Sequence, residues 1–105
     1  DYYGEEIKYQ QQIDKMANAR DLDYKIFIYD AKVKTLSLNL PLGAVGTLHM
    51  FRPSDARLDQ KFPVNLGQEN IFFLDLKDLK PGYWKMMLTW EEGGKSYYKE
   101  QKITI

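Results

Sequence analysis

The chain has 105 residues, 44 % of them hydrophobic and 14 % aromatic, and no cysteine. That length suits one domain with its own core, and the missing thiols exclude thiol catalysis, disulfides, thiolate zinc sites and iron–sulfur clusters. Lys plus Arg and Asp plus Glu both number 15, for a formal net charge of zero, which excludes the basic stripe of a nucleic-acid binder and a polybasic membrane-surface segment.

Gly4 to Arg20 reads as an amphipathic helix. Tyr9, Ile13, Met16 and Ala17 recur at helical spacing as a narrow apolar stripe, with Gln10, Gln11, Gln12, Asp14, Lys15 and Asn18 on the other face. Glu5 and Glu6 come early and Arg20 late, which suits the helix dipole. From Tyr24 the period changes to two. Ile26 and Ile28 alternate with Phe27 and Tyr29, and Leu36, Leu38 and Leu40 with Ser37 and Asn39. Leu48 and Met50 flank His49; Phe72, Leu74 and Leu76 flank Phe73 and Asp75. Trp84, Met86, Leu88 and Trp90 alternate with Lys85, Met87 and Thr89, and Tyr97, Ile103 and Ile105 share parity. Such alternation predicts half-buried antiparallel strands. Turn residues separate them, above all the Gly93-Gly94 pair, a tight-hairpin signal. Arg52 to Pro63 is less regular and reads as a connection between sheets with one short edge strand, since Pro53 and Pro63 limit ladder pairing. The pattern predicts a mainly β fold, an Ig-like antiparallel sandwich of about seven strands with an N-terminal α-helix. The helix occupies 1–22 and the sandwich 23–105.

His49 is the only histidine, so no multi-histidine metal site can form within one chain. Ser37, Ser54 and Ser96 are the serines a catalytic triad would draw on, and none sits in a nucleophile-elbow motif. Asp55, Asp59, Asp75, Asp78, Glu91 and Glu92 are scattered carboxylates that read as solvated loop charges. No glycine-rich phosphate loop is present. No catalytic or cofactor-binding residue is expected. Imidazole and thioethers suit a soft metal, but Met50 and Met86 fall on the core parity, where methionine fills gaps. His49 and Met87 remain as metal-ligand candidates, able to meet only if their strands are neighbours in one sheet. They would make at most a weak, exposed two-ligand copper site.

On the face opposite the expected core lie Phe27, Tyr29, Phe51, Ile71 and Phe73. If their strands are neighbours they make an apolar patch, and such patches are covered or used in binding. The stripe of Tyr9, Ile13 and Met16 is the expected partial cover. Tyr9, Ile13, Met16, Phe27, Tyr29, Phe51 and Phe73 are therefore the partner-binding candidates.

Asp1-Tyr2-Tyr3, the Gln-rich helix Tyr9 to Arg20, Arg52-Pro53 with Asp59 after it, Leu79-Lys80-Pro81-Gly82-Tyr83-Trp84, Trp90, the Gly93-Gly94 turn and Tyr97 follow one another along the chain. In this order they resemble the FixH family of cytochrome-oxidase accessory proteins, over nearly the whole chain. The resemblance implies a single-pass cell-membrane protein with this domain on the periplasmic side, anchored by a helix upstream of Asp1. It implies a non-enzymatic role in the assembly or copper supply of a cbb3-type haem–copper oxidase, with membrane proteins of oxidase assembly or copper transport as partners. No small-molecule substrate or nucleic acid is expected. A copper-handling domain and a generic cell-envelope Ig-like interaction module are the alternatives. Arg52 and Asp59 are expected to brace the connection, through a salt bridge or a turn contact, rather than to touch a partner.

Overall fold

The computed structural model describes residues 2–20, 22 and 24–105, with side chains from Tyr9 onward. Asp1 and the side chains of Tyr2, Tyr3, Glu5 and Glu6, read above as a motif and as helix-dipole partners, lie outside the described residues. Helix α1 spans Tyr2–Arg20, and seven strands follow: β1 Phe27–Asp30, β2 Thr35–Asn39, β3 Val45–Phe51, β4 Gln60–Asn65, β5 Ile71–Asp75, β6 Tyr83–Glu92 and β7 Lys95–Thr104. They form two antiparallel sheets, ordered β1-β2-β5 and β4-β3-β6-β7. In the constant-type immunoglobulin arrangement the fourth strand belongs to the sheet of strands one, two and five. Here it pairs with β3.

Alternation works as expected where one parity is mainly polar. Trp84, Met86, Leu88 and Trp90 of β6 are buried, while Lys85, Met87 and Thr89 face outward and are half-buried. Leu36, Leu38, Leu40, Leu48, Met50 and Leu76 complete the inner layer. The Gly93-Gly94 turn joining β6 to β7 has positive φ at both glycines, 59° and 76°, as a tight hairpin of this twist requires.

Three expectations are corrected. The phase of β1 is reversed: Phe27 is 2 % exposed and Ile28 is 49 % exposed. Phe27 pairs with Leu38 and Tyr29 with Leu36, so both rings share the core face of β2, and Tyr29 is half-buried against the core. Second, Arg52 to Pro63 does not cross between sheets. It holds a 3-10 turn, Ala56–Leu58, and then β4, which returns beside β3 in the same sheet. Pro63 is tolerated there because β4 is an edge strand.

The third concerns the helix, which packs along β7 and not over the aromatic residues named above. Asn18 Nδ2 donates to the Ser96 carbonyl at 2.7 Å. Ala19, 3 % exposed, joins the buried core, with Leu22 half-buried against it. Since β7 is the outer strand of its sheet, the helix shields an edge that would otherwise invite pairing. The stripe itself stays largely open, with Tyr9 72 %, Ile13 38 % and Met16 39 % exposed.

Candidate functional site

The end of β3 and the start of β6 meet at one corner of the four-stranded sheet. Asp55 caps the 3-10 turn by accepting from the Arg57 amide at 3.0 Å. That turn carries Asp59 back toward β3, where its Oδ1 accepts from the Arg52 amide at 2.7 Å. Its Oδ2 meets His49 Nε2 at 2.9 Å. The Arg52 amide, followed by the His49 bond and the nearby Lys61 charge, holds the Asp59 carboxyl below its ordinary range.

The Arg52 side chain reaches across to the Pro-Gly turn. Nη1 donates to the Lys80 carbonyl at 3.2 Å, Nη2 to the Pro81 carbonyl at 2.9 Å, and Nε to Ser54 Oγ at 3.0 Å. The guanidinium lies 4.9 Å from the centroid of the Trp84 ring, in cation–π geometry. Trp84 Nε1 in turn donates to the Lys80 carbonyl at 2.8 Å. Gly82 completes the clamp with φ +123°, and a Cβ there would stand 2.8 Å from Arg52 Nη2. Its backbone exchanges two 2.9 Å hydrogen bonds with Ile105, tying down the last strand. Arg52 and Asp59 are thus turn braces, and their side chains do not pair with each other.

The outer face of the four-stranded sheet carries the remaining polar chemistry. His49 lies directly between Lys61 of β4 and Met87 of β6 in register. An open cavity there is lined by Thr47, His49, Lys61, Met87, Thr89 and Tyr98. The Tyr98 hydroxyl donates to Glu100 Oε2 at 2.6 Å, and Lys85 Nζ lies 3.1 Å from Glu100 Oε1. Burial and the Glu100 charge push the Tyr98 phenol up, while that phenol and Lys85 hold the Glu100 carboxyl down. On the far side of Tyr98, a groove between α1 and β7 is lined by Ile13, Met16, Ala19 and Arg20.

The structure divides the partner-binding candidates. Phe27 is buried and Tyr29 half-buried in the core, so neither presents a docking ring. Phe51 lies on the four-stranded sheet, its ring 6.1 Å from that of His49. Phe73, 67 % exposed, is on the other sheet. Tyr9, Ile13 and Met16 are exposed on the helix. The outward apolar row of the three-stranded sheet is instead Ile28 and Phe73, with Ser37 between them in register, and Ile71 beside them. The sequence reading missed Ile28, because Lys25-Ile26-Phe27-Ile28-Tyr29 is apolar on both parities.

His49 takes Asp59 as its partner, and none of Ser37, Ser54 or Ser96 bonds to it among the described residues. Among the described residues no three or more His, Asp or Glu side chains cluster as ligands for a metal ion. Against protein-family models, residues 1–104 match FixH. No curated protein and no solved structure matches the chain. Three of the motifs that carried the resemblance, Arg52-Pro53, Asp59 and Leu79 to Trp84, meet in this brace, and with its matched span covering all but the last residue the chain belongs to the FixH family.

Proposed function

We propose that this domain is a non-enzymatic accessory module that assists assembly or copper supply of a cbb3-type haem–copper oxidase through protein–protein contact. The observation that carries the reading is the family match over residues 1–104. The structure adds support of a physical kind. The polar groups of the Arg52, Asp59 and Trp84 corner are spent on one another and on backbone, which leaves no converging acid, base and nucleophile. Among the large exposed side chains, Ile28 and Phe73 on one sheet and Tyr9, Ile13 and Met16 on the helix are the kind of surface that binds proteins.

No helix among the described residues is long and apolar enough to cross a membrane. The anchor in this reading is a segment of the full protein outside this sequence, about 20 apolar residues long, with the domain on the periplasmic side. Reading the gene upstream tests the anchor. The functional test deletes the gene in its own host and measures assembled oxidase by haem content and oxygen uptake. Deletion lowers both, full-length protein restores them, and Phe73→Asp, a change at a 67 % exposed position whose folding is checked by circular dichroism, restores less. Unchanged oxidase in the deletion strain overturns the reading.

A further inference from the structure

We propose that His49 and Met87 form a labile, two-ligand site for a soft monovalent metal ion, of the Cu(I) or Ag(I) class, on the outer face of the four-stranded sheet. This goes beyond the assembly role, since protein contact alone needs no metal.

The first observation is register. β3 and β6 are neighbours, and His49 is directly opposite Met87. Both point away from the core, because Leu48, Met50, Met86 and Leu88 on either side of them are fully buried. Directly opposite side chains on one face of an antiparallel pair start from Cβ atoms about 4.5–5.5 Å apart, which places an imidazole and a thioether within reach of one ion. The second observation is the open cavity that both side chains line. Neither residue has to leave the core to become a ligand, whereas Met50 and Met86 would.

The third observation is how His49 is held. Asp59 Oδ2 lies 2.9 Å from His49 Nε2, and Asp59 Oδ1 is fixed by the Arg52 amide at 2.7 Å. A carboxylate is an acceptor only, so in the neutral ring the proton sits on Nε2 and Nδ1 carries the lone pair. Among the described residues no protein group engages Nδ1. A carboxylate that accepts the far N–H of an imidazole is the usual outer partner of a metal-binding histidine, where it fixes the tautomer and raises basicity. Here the brace at the sheet corner positions that carboxylate.

The cavity also selects the ion. Its lining holds no carboxylate: Glu100, opposite Met87 in register, is taken up by the Tyr98 hydroxyl and Lys85, and Lys61 stands opposite His49 on the other flank. Hard divalent ions need charged oxygen ligands, and the Lys61 ammonium repels a double charge twice as strongly as a single one. A neutral nitrogen with a thioether sulfur suits a soft monovalent ion. Two neutral ligands make the site exchangeable rather than a store.

The test titrates the purified chain with Ag(I), the redox-stable member of the class, in chloride-free buffer, following the methionine methyl and His49 ring resonances. The expected result is one saturable equivalent in fast exchange that moves Met87 and His49 and leaves Met50 and Met86 still. Met87→Leu and His49→Gln each abolish it, Met16→Leu does not, and Mg(II) gives no shift. Asp59→Asn, which leaves both ligands in place, weakens binding about 10- to 100-fold. Circular dichroism confirms that each variant is folded. Ag(I) shifts confined to Met16, binding that survives Met87→Leu, or retention at nanomolar free metal, which would need a third strong donor, would each overturn the assignment.

Discussion

Replacing Arg52 by alanine tests whether the motif residues at the sheet corner are a brace. The change removes the guanidinium from the Trp84 face and its bonds to the Lys80 and Pro81 carbonyls. A cation over an aromatic ring at a partly exposed site is worth about 0.5–1 kcal/mol. Each carbonyl bond contributes roughly 1 kcal/mol net after exchange with water. All three act on one turn and do not add fully, so the expected loss is about 2 kcal/mol. In a chain of this size 1 kcal/mol moves the melting temperature by about 4 °C, and Arg52→Ala should melt roughly 8 °C below wild type. Arg52→Lys keeps the charge but not the planar fork, and should recover less than half of the loss. Arg57→Ala is the control, because the Arg57 side chain is 90 % exposed and its pair with Asp55 is at the surface. Thermal and urea melts of the three variants decide it. Arg52→Ala indistinguishable from Arg57→Ala would refute the brace.

Trp84→Ala, which empties a wholly buried site, should cost about 3–5 kcal/mol, and Thr89→Ala on the outer face well under about 1 kcal/mol; urea melts of equal cost would mean the β6 phase is wrong. Acid melts probe Asp59, whose folded-state carboxyl is held low. A depressed pKa contributes stability above the unfolded value of about 4 and loses it as pH falls through the folded value. Asp59→Asn should therefore show a shallower loss of urea midpoint below about pH 4 than wild type, and identical acid limbs would remove Asp59 from the linkage. Deleting residues 1–20 takes Ala19 out of the core and uncovers the β7 edge beside Tyr98. The truncated chain should keep its β circular dichroism, melt earlier and bind more hydrophobic dye, whereas loss of the β signal would make the helix part of the core.

How much of this was legible in the sequence depended on whether one parity of a strand was clearly polar. In β2 and β6 the outward residues are polar apart from Tyr83 and Met87, and the inward faces could be assigned directly. In β1 both parities are apolar, and the phase is settled only by pairing with Leu36 and Leu38, which no local pattern encodes. Pro63 read as limiting ladder pairing to a short edge strand, and β4 is such an edge, where the missing amide is not needed; what the pattern did not show is that this strand stays in the sheet of β3. At the site, the Arg52 contacts to Lys80 and Pro81 span 28 and 29 residues, and the His49–Asp59 bond depends on a 3-10 turn. The meeting of His49 with Met87 was conditional on which strands are neighbours. β3 and β6 are not consecutive, so only the sheet order supplies it.

The residues that brace the sheet corner and those free to act on other molecules are largely different sets. Arg52, Asp59, Gly82 and Trp84 satisfy one another and the backbone, and fix where β3 and β6 begin and end. A partner approaching this corner would have to break those bonds to use them, which costs more than most surface contacts return. The side chains without such obligations lie elsewhere: the Ile28 and Phe73 row on one sheet, the helix stripe along β7, and Met87 on the other sheet. His49 belongs to both sets, since one ring nitrogen is tied to the brace through Asp59 and the other carries no protein partner among the described residues. Through that one ring the corner that fixes the fold also orients a group that faces the open cavity.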